Sequence, residues 1–482
     1  MKQLRMLLRL GIVLSLSFVV LSGLGESEIC YTCDPETLFN LVVLHGILLL
    51  ATASSGRLMY VLVGTLLVFY ASRVPIIQWA PDFYTYTELP LTLSDMRDAT
   101  SALLWISFGL MLGCFAGDRL GTVLERDGPS KIIPFEEKVK DLKSFYYLVT
   151  LLFIASKGTA IVLILTTGVG LPVPVDLFSA GLRQVSKAAN FLGFLGIVPI
   201  AWFMLRESRG FERRLTILAI VIFVFGALVS FSKVGMITAV IPFLLVYFVT
   251  GRNIPPRLLF LGGSVVAVVA FFLGSVLGLL RIQIAFAFVG ESISIGEVLS
   301  SFDVPSALMS FWARVGSSFD VLSAVIKNEA AFLPYLSMFD ELLEAANGYG
   351  LQLFEADAPQ YAQLLPAILH GSDYGFLLSV RGGENVTLPA HLYLNFGVIG
   401  AMAVSLAVML LFSFMYRYSK SVYAKIILIQ AVFLGIPNGS GLIGIILPVI
   451  HALAAIYVLI LIHGLFVGRS ASARIRHASM SG

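Results

Sequence analysis

Charge is scarce in this chain. Asp, Glu, Lys and Arg make up 13% of its 482 residues, where a soluble domain carries about 25%. That shortage excludes an ordinary water-soluble globular protein. Cysteine is scarcer still, and the three present, Cys30, Cys33 and Cys114, are too few for a disulfide framework. Cys30 and Cys33 lie in a short polar loop and suit a local disulfide if that loop faces an oxidising compartment. One C-x-x-C supplies only half of a typical zinc site. The P-loop, His-Glu-x-x-His and Gly-x-Ser-x-Gly patterns are all missing, so nucleotide hydrolysis, zinc proteolysis and serine hydrolysis lack their signatures. No Asp-x-Asp pair is available to hold a metal for a nucleotide sugar, and Glu355-Ala356-Asp357 is the nearest approach.

What the chain has in abundance is apolar sequence, 58% of all residues. It falls in blocks of the length that crosses a bilayer, about 17–25 residues. Twelve such spans are expected, near 6–24, 37–53, 58–79, 99–116, 145–167, 188–205, 213–230, 233–250, 258–280, 391–415, 426–437 and 442–466. The first, with Lys2, Arg5 and Arg9 before it, has the look of a secretory signal. None of the twelve contains an Asp or Glu, which counts against a proton- or ion-coupled transporter. Lys157 is the one Lys or Arg deep within a span, a place where it would bond backbone carbonyls or a bound anion.

The basic residues orient the spans. With the N-terminus cytoplasmic, 22 of the 32 Lys and Arg fall inside, while 21 of the 29 acidic residues fall outside. The positive-inside rule then puts both termini in the cytoplasm and the long polar segment 281–389 outside. Within that segment Leu308, Trp312, Val315, Phe319, Leu322 and Ile326 recur every three or four residues after Pro305, the stripe of an amphipathic helix. Further helical stretches near 334–346 and 359–370 flank the Asn347-Gly348-Tyr349-Gly350 turn. The fold expected is an all-α polytopic membrane protein of about twelve transmembrane helices with a helical extracytoplasmic cap. Its parts are a membrane bundle over 1–280, the cap over 281–389, and C-terminal helices with a short basic tail over 390–482.

Nine basic residues stand outside against this trend: Arg73, Arg97, Arg183, Lys187, Lys233, Arg281, Arg314, Lys327 and Arg381. Arginine grips phosphate with a planar fork that stays charged, so an outward cluster suits a lipid diphosphate. The plain alternative is that each arginine snorkels to an ordinary lipid phosphate. His391 opens an apolar run that carries no charge up to Met415. A histidine there can take a proton from a hydroxyl near neutral pH, or it can merely cap the helix start. His370 and Asp373 are weaker candidates, and His45, His451 and His463 read as packed between helices. Asn385-Val386-Thr387 matches a glycosylation pattern of little weight.

Three stretches resemble the O-antigen polymerase and ligase group, the Wzy-type oligosaccharide repeat-unit polymerases and related lipopolysaccharide ligases. Pro389-Ala390-His391-Leu392-Tyr393-Leu394-Asn395-Phe396-Gly397-Val398-Ile399-Gly400 is similar to the motif that follows the large periplasmic loop of that group. Ser230-Phe231-Ser232-Lys233-Val234-Gly235 resembles its Ser/Lys/Arg-Gly turn. Arg314-Val315-Gly316-Ser317-Ser318-Phe319-Asp320-Val321-Leu322 resembles its Arg-x-Ser…Asp segment. The likeness covers roughly 215–415. Polymerases of the group often carry an acidic residue where His391 falls, and ligases follow the His directly with Asn, so both activities stay open.

The resemblance implies a metal-independent, cofactor-free, inverting glycosyltransferase of the GT-C type in a bacterial inner membrane. Its donor would be an undecaprenyl-diphosphate-linked oligosaccharide. Arg281 and Arg314, with Arg183 and Lys233, would clamp the diphosphate, and His391 would be the base. Tyr393, Asn395, Arg381 and Asp320 would line the substrate. Membrane lipids, a chain-length regulator and a flippase of the same pathway are the implied partners, and nucleic acid is not. The reading from a different class is a transporter or flippase of lipid-linked oligosaccharide.

Overall fold

A computed structural model describes residues 2–23, 29–54, 56–79, 91–126, 142–167, 192–205, 209–229, 318–327, 387–419, 421–438 and 441–480, with 182, 185, 245, 246, 248 and 249 as isolated positions. All regular structure among them is helical. Among the described residues, six helices are long and apolar enough to cross a membrane: Gln3–Ser22, Arg57–Trp79, Leu93–Leu124, Lys143–Thr167, Leu388–Tyr418 and Ile445–Leu465. Pro35–Ala51, Leu192–Met204 and Val422–Gly435 are shorter apolar helices. Helices thus occupy the expected positions from the first span through the seventh, and again from 391 onward. The 258–280 span and most of 233–250 and 281–389 lie outside the described residues.

The elements are α1 (Lys2–Ser22), α2 (Pro35–Ala51), α3 (Arg57–Leu66), α4 (Arg73–Trp79) and α5 (Leu93–Arg126). There follow α6 (Leu142–Thr167), α7 (Ile197–Leu205) and α8 (Gly210–Val229), then α9 (Leu388–Tyr418), α10 (Val422–Gln430), α11 (Ile436–Asn438) and α12 (Gly441–Met480). Two of the expected spans contain a π-turn, Leu67–Ala71 between α3 and α4 and Ala431–Gly435 between α10 and α11. The two π-turns face each other, with Phe69 edge-on to Phe433 at 6.1 Å. A π-turn adds a residue to the helix and resets which side chains face inward.

Among the described residues, α5 and α9 pack in close backbone contact. Gly109, Gly113 and Gly117 lie one turn apart on α5, and a Cβ at each would strike the carbonyl oxygen of Met402, Leu406 and Leu410 respectively. Gly121 extends the row, where a Cβ would come within 2.8 Å of the Arg417 side chain. Absent side chains let the two backbones touch, which is how helices associate where no hydrophobic gain is available. The Ser413 hydroxyl donates to the Cys114 carbonyl at 2.7 Å across the same seam.

Helix α9 bends at Gly397, whose φ of 61° and ψ of −172° interrupt the helix. That region is essentially closed to residues with a Cβ, although nothing lies within 4 Å of this position to obstruct one. Gly397→Ala is therefore expected to cost about 1–3 kcal/mol through backbone strain alone. The check is the thermal midpoint of the purified variant, and a midpoint equal to wild type would show that the helix tolerates a straight path.

Several polar residues of the spans bond within the bundle. Arg5 donates to Tyr60 Oη at 2.8 Å, Arg9 to Thr52 at 2.9 Å, and His45 bonds Ser15 at 2.9 Å and the Leu41 carbonyl at 2.7 Å. The first three of these bonds tie α1 to α2, to Thr52 at its end and to Tyr60 of α3. His463 bonds Ser144 and stands edge-on to Phe145. The stem of Lys157 packs against Gly226 of α8.

Candidate active site at the head of α9

Thr387 starts α9. Its backbone is extended (φ −65°, ψ 154°), its hydroxyl accepts from the Ala390 N–H, and Pro389 occupies the first turn. Proline fits there because the first-turn N–H groups have no helical partner. The sequence reading gave Thr387 only a glycosylation pattern; the structure buries it as a helix cap, 1% exposed. The His391 N–H donates to the Thr387 carbonyl at 3.0 Å, and the Asn395 amide donates to the His391 carbonyl at 2.8 Å. The His391 side chain is fully buried. Its ring lies against Gly441, the first residue of α12, at φ 64°. Tyr393 and Asn395, two and four residues further along, are half-buried.

A piece of the long polar segment reaches this place. Residues 318–327 form a helix, and 318–326 are buried on every side rather than along one stripe. The expected amphipathic helix does not lie here with one face in water. Its polar face is occupied by protein groups instead. Ser318 Oγ donates to the Pro437 carbonyl at 2.9 Å, and the Ser323 hydroxyl donates to the Asp320 carbonyl at 2.9 Å. Thr387 Oγ1 donates to the Ser318 carbonyl at 3.4 Å.

Asp320 meets Arg73 in a two-pronged ion pair. Arg73 Nε donates to one carboxylate oxygen at 3.0 Å and Nη2 to the other at 2.7 Å. The side chains are 1% and 0% exposed. Arg73 follows the first π-turn, from which Tyr70 donates to the Ile436 carbonyl at 3.1 Å. Helices from four separate stretches, near 70–73, 318–320, 387–391 and 436–441, thus close on one buried polar cluster. No protein-family model, curated protein or solved structure matches the chain.

Of the residues proposed from sequence, His391 and Asp320 enter this cluster, and Tyr393 and Asn395 adjoin it. Arg183, Lys233, Arg281, Arg314 and Arg381 lie outside the described residues, as do Lys187, His370 and Asp373. The remaining outward cations are in ion pairs. Arg97 meets Asp34 at 3.0 Å and Glu36 at 3.2 Å, and Lys327 stands 3.8 Å from Asp95. Asp34 also caps α2 by accepting from the Thr37 N–H at 2.9 Å. Burial pushes its carboxyl up, but the Thr37 N–H and Arg97 outweigh that and hold it below the usual carboxylate range. Cys30 and Cys33, four residues and one residue before it, form a disulfide with Cα atoms 5.2 Å apart. Gln78 clasps this loop, accepting from the Tyr31 N–H and donating to the Ile29 carbonyl at 3.0 Å.

Sequence reasoning missed Tyr70, Ser318, Thr387 and Gly441. The first two carry no local signal. Thr387 could have been found as a cap, since Thr two residues before Pro at a helix start is a recognised pattern. Gly441 closes an Asn438-Gly439-Ser440-Gly441 turn signal.

Proposed function

We propose that this chain is a bacterial inner-membrane polysaccharide polymerase with about twelve spans, both termini cytoplasmic and the 281–389 segment on the periplasmic face. It transfers glycan from undecaprenyl diphosphate onto another lipid-linked repeat unit. The observation that carries the reading is the meeting of Thr387, at the head of the membrane helix that bears the buried His391, with the 318–327 piece of the long polar segment. A soluble segment and a membrane helix that share a buried polar cluster suit chemistry on a substrate with a lipid tail and a sugar head.

In the reaction an acceptor hydroxyl attacks the anomeric carbon of the donor. The bond from that carbon to the diphosphate oxygen breaks, and undecaprenyl diphosphate leaves with the electron pair. The hydroxyl proton passes to the His391 imidazole. A single displacement inverts the anomeric configuration. Arg281 and Arg314, with Arg183 and Lys233 in support, stabilise the charge on the leaving diphosphate in place of a metal. His391 is enclosed with Gly441 against its ring, so the acceptor reaches it after the head of α12 moves aside.

The test is purified protein with a lipid-diphosphate-linked repeat unit and no nucleotide, with products resolved by size. A ladder is expected from the wild type. His391→Ala is expected to lower its rate about 100-fold or more, the usual contribution of a positioned base. An undiminished ladder from folded His391→Ala removes the base role. Transfer only to a second supplied acceptor makes the protein a ligase, and movement of intact donor across a vesicle makes it a transporter.

A further inference from the structure

We propose that Arg73 and Asp320 are positioning residues for His391, acting through the 318–320 turn. This rests on the reading of His391 as the base. Two supports of His391 lead back to that turn. One is the start of its own helix: the Ser318 carbonyl accepts from Thr387 Oγ1 at 3.4 Å, and the Thr387 carbonyl in turn receives the backbone N–H of His391 at 3.0 Å. The other is Gly441, which lies against the imidazole, and Ser318 Oγ holds the Pro437 carbonyl, four residues before it, at 2.9 Å. Asp320 lies two residues from Ser318 on the same helix, and Arg73 grips it from the membrane bundle at 2.7 and 3.0 Å.

The pair is poorly explained as a source of stability. Taking two charges out of water costs about as much as their attraction returns, and an apolar pair of the same size commonly serves as well. What a two-pronged pair adds is direction. The guanidinium plane fixes both the distance and the angle of the carboxylate, and hence the setting of the helix that bears it. The π-turn at Leu67–Ala71 serves the same end, because it turns Tyr70 toward Ile436 and leaves Arg73 facing Asp320. Arg73 was singled out in the sequence as one of the outward cations suited to a diphosphate. Its fork is engaged by Asp320, so it acts on the chemistry at one remove.

The experiment uses full-length purified protein bearing Asp320→Asn, Arg73→Lys, or the exchange Arg73→Asp with Asp320→Arg. Two readouts are taken. The first is transfer kinetics: Asp320→Asn is expected to lower kcat about 100-fold, the penalty of a misplaced group, with KM within about twofold. Arg73→Lys keeps the charge but not the fork, and is expected to fall between. The exchange is expected to recover part of the loss. The second readout needs no activity. Diethyl pyrocarbonate modification is followed by mass spectrometry at His391, with buried His45 and His463 as internal markers of the fold. His391 is expected to be protected in the wild type and to react in Asp320→Asn while both markers stay protected.

A folded Asp320→Asn protein with wild-type kcat and protected His391 overturns the proposal. So does a raised KM at constant kcat, which would make Arg73 a substrate ligand. If all three histidines react in Asp320→Asn, the fold has been lost and Arg73→Lys decides by the same criteria. If His391→Ala proves fully active while Asp320→Asn still exposes His391, the base role falls and the positioning link stands.

Discussion

Gly113→Leu is expected to abolish the folded protein. A Cβ at this position alone would strike the Leu406 carbonyl oxygen and come within 2.9 Å of the carbonyl carbon. Both obstacles are backbone, so no rotamer change relieves them. Overpacking a core commonly costs about 1–3 kcal/mol and more when the backbone must move. Leucine adds three further carbons to a seam that has room for none, and α5 and α9 would have to separate along several turns. The expected cost is about 3 kcal/mol or more, a large part of a total stability of about 5–15 kcal/mol. Size-exclusion chromatography of detergent extracts reads the outcome, with loss of the monodisperse peak expected. Gly158→Ala is the matched control. Nothing lies within 4 Å of a Cβ there, and exchanging a helical glycine for alanine gains about 0.5–1 kcal/mol. If Gly113→Leu elutes like Gly158→Ala, the two helices do not pack as described.

Gly441→Val is expected to remove transfer activity and to destabilise the protein together. Two causes act at once. The backbone sits at φ 64°, where a β-branched residue is an outlier, at a strain of about 1–3 kcal/mol. In addition, any Cβ would collide with Cγ and Cδ2 of the His391 ring and lie 2.9 Å from its Cβ. The imidazole must therefore leave its place or the head of α12 must lift. Gly210→Ala separates the two causes, because Gly210 has φ 59° with nothing within 4 Å. It is expected to lower the thermal midpoint without lowering the transfer rate of the folded fraction. Gly441→Val is expected to lower that rate at least about 100-fold as well, the contribution of a positioned base. A Gly441→Val protein with wild-type rate would mean that the ring position seen here has no part in turnover.

The legible part of this fold was its helical layout. Hydropathy marks each span because a bilayer demands a long apolar run, and it does so residue by residue. The disulfide of Cys30 and Cys33 was legible only as a condition, because the two cysteines are neighbours but the compartment that decides their pairing leaves no mark on them. His391 was readable because it stands where polar sequence meets apolar sequence. The pairing of Arg73 with Asp320 was not, although both residues drew notice separately, since nothing local connects positions 247 residues apart. The burial of 318–326 ran against expectation for a related reason. A polar face reads as a wet face unless the sequence can show that Arg73, Pro437 and Thr387 will fill it. The glycine row on α5 is an intermediate case. Its four-residue spacing is visible, but hydropathy is silent about which helix will press against it.

The same long separations set a schedule for biosynthesis. Arg73 leaves the ribosome 247 residues ahead of Asp320, which at about 5–20 residues per second is roughly 12 to 50 s. Cys114 precedes its contact Ser413 by 299 residues. During that interval the bilayer holds an arginine without its carboxylate and a glycine-lined groove without its helix. The early spans therefore have to be kept apart from other newly made chains, and the insertion machinery or lipid headgroups have to shelter Arg73. A polypeptide interrupted before residue 388 would keep that groove open, an edge on which quality-control proteases or stray helices could settle.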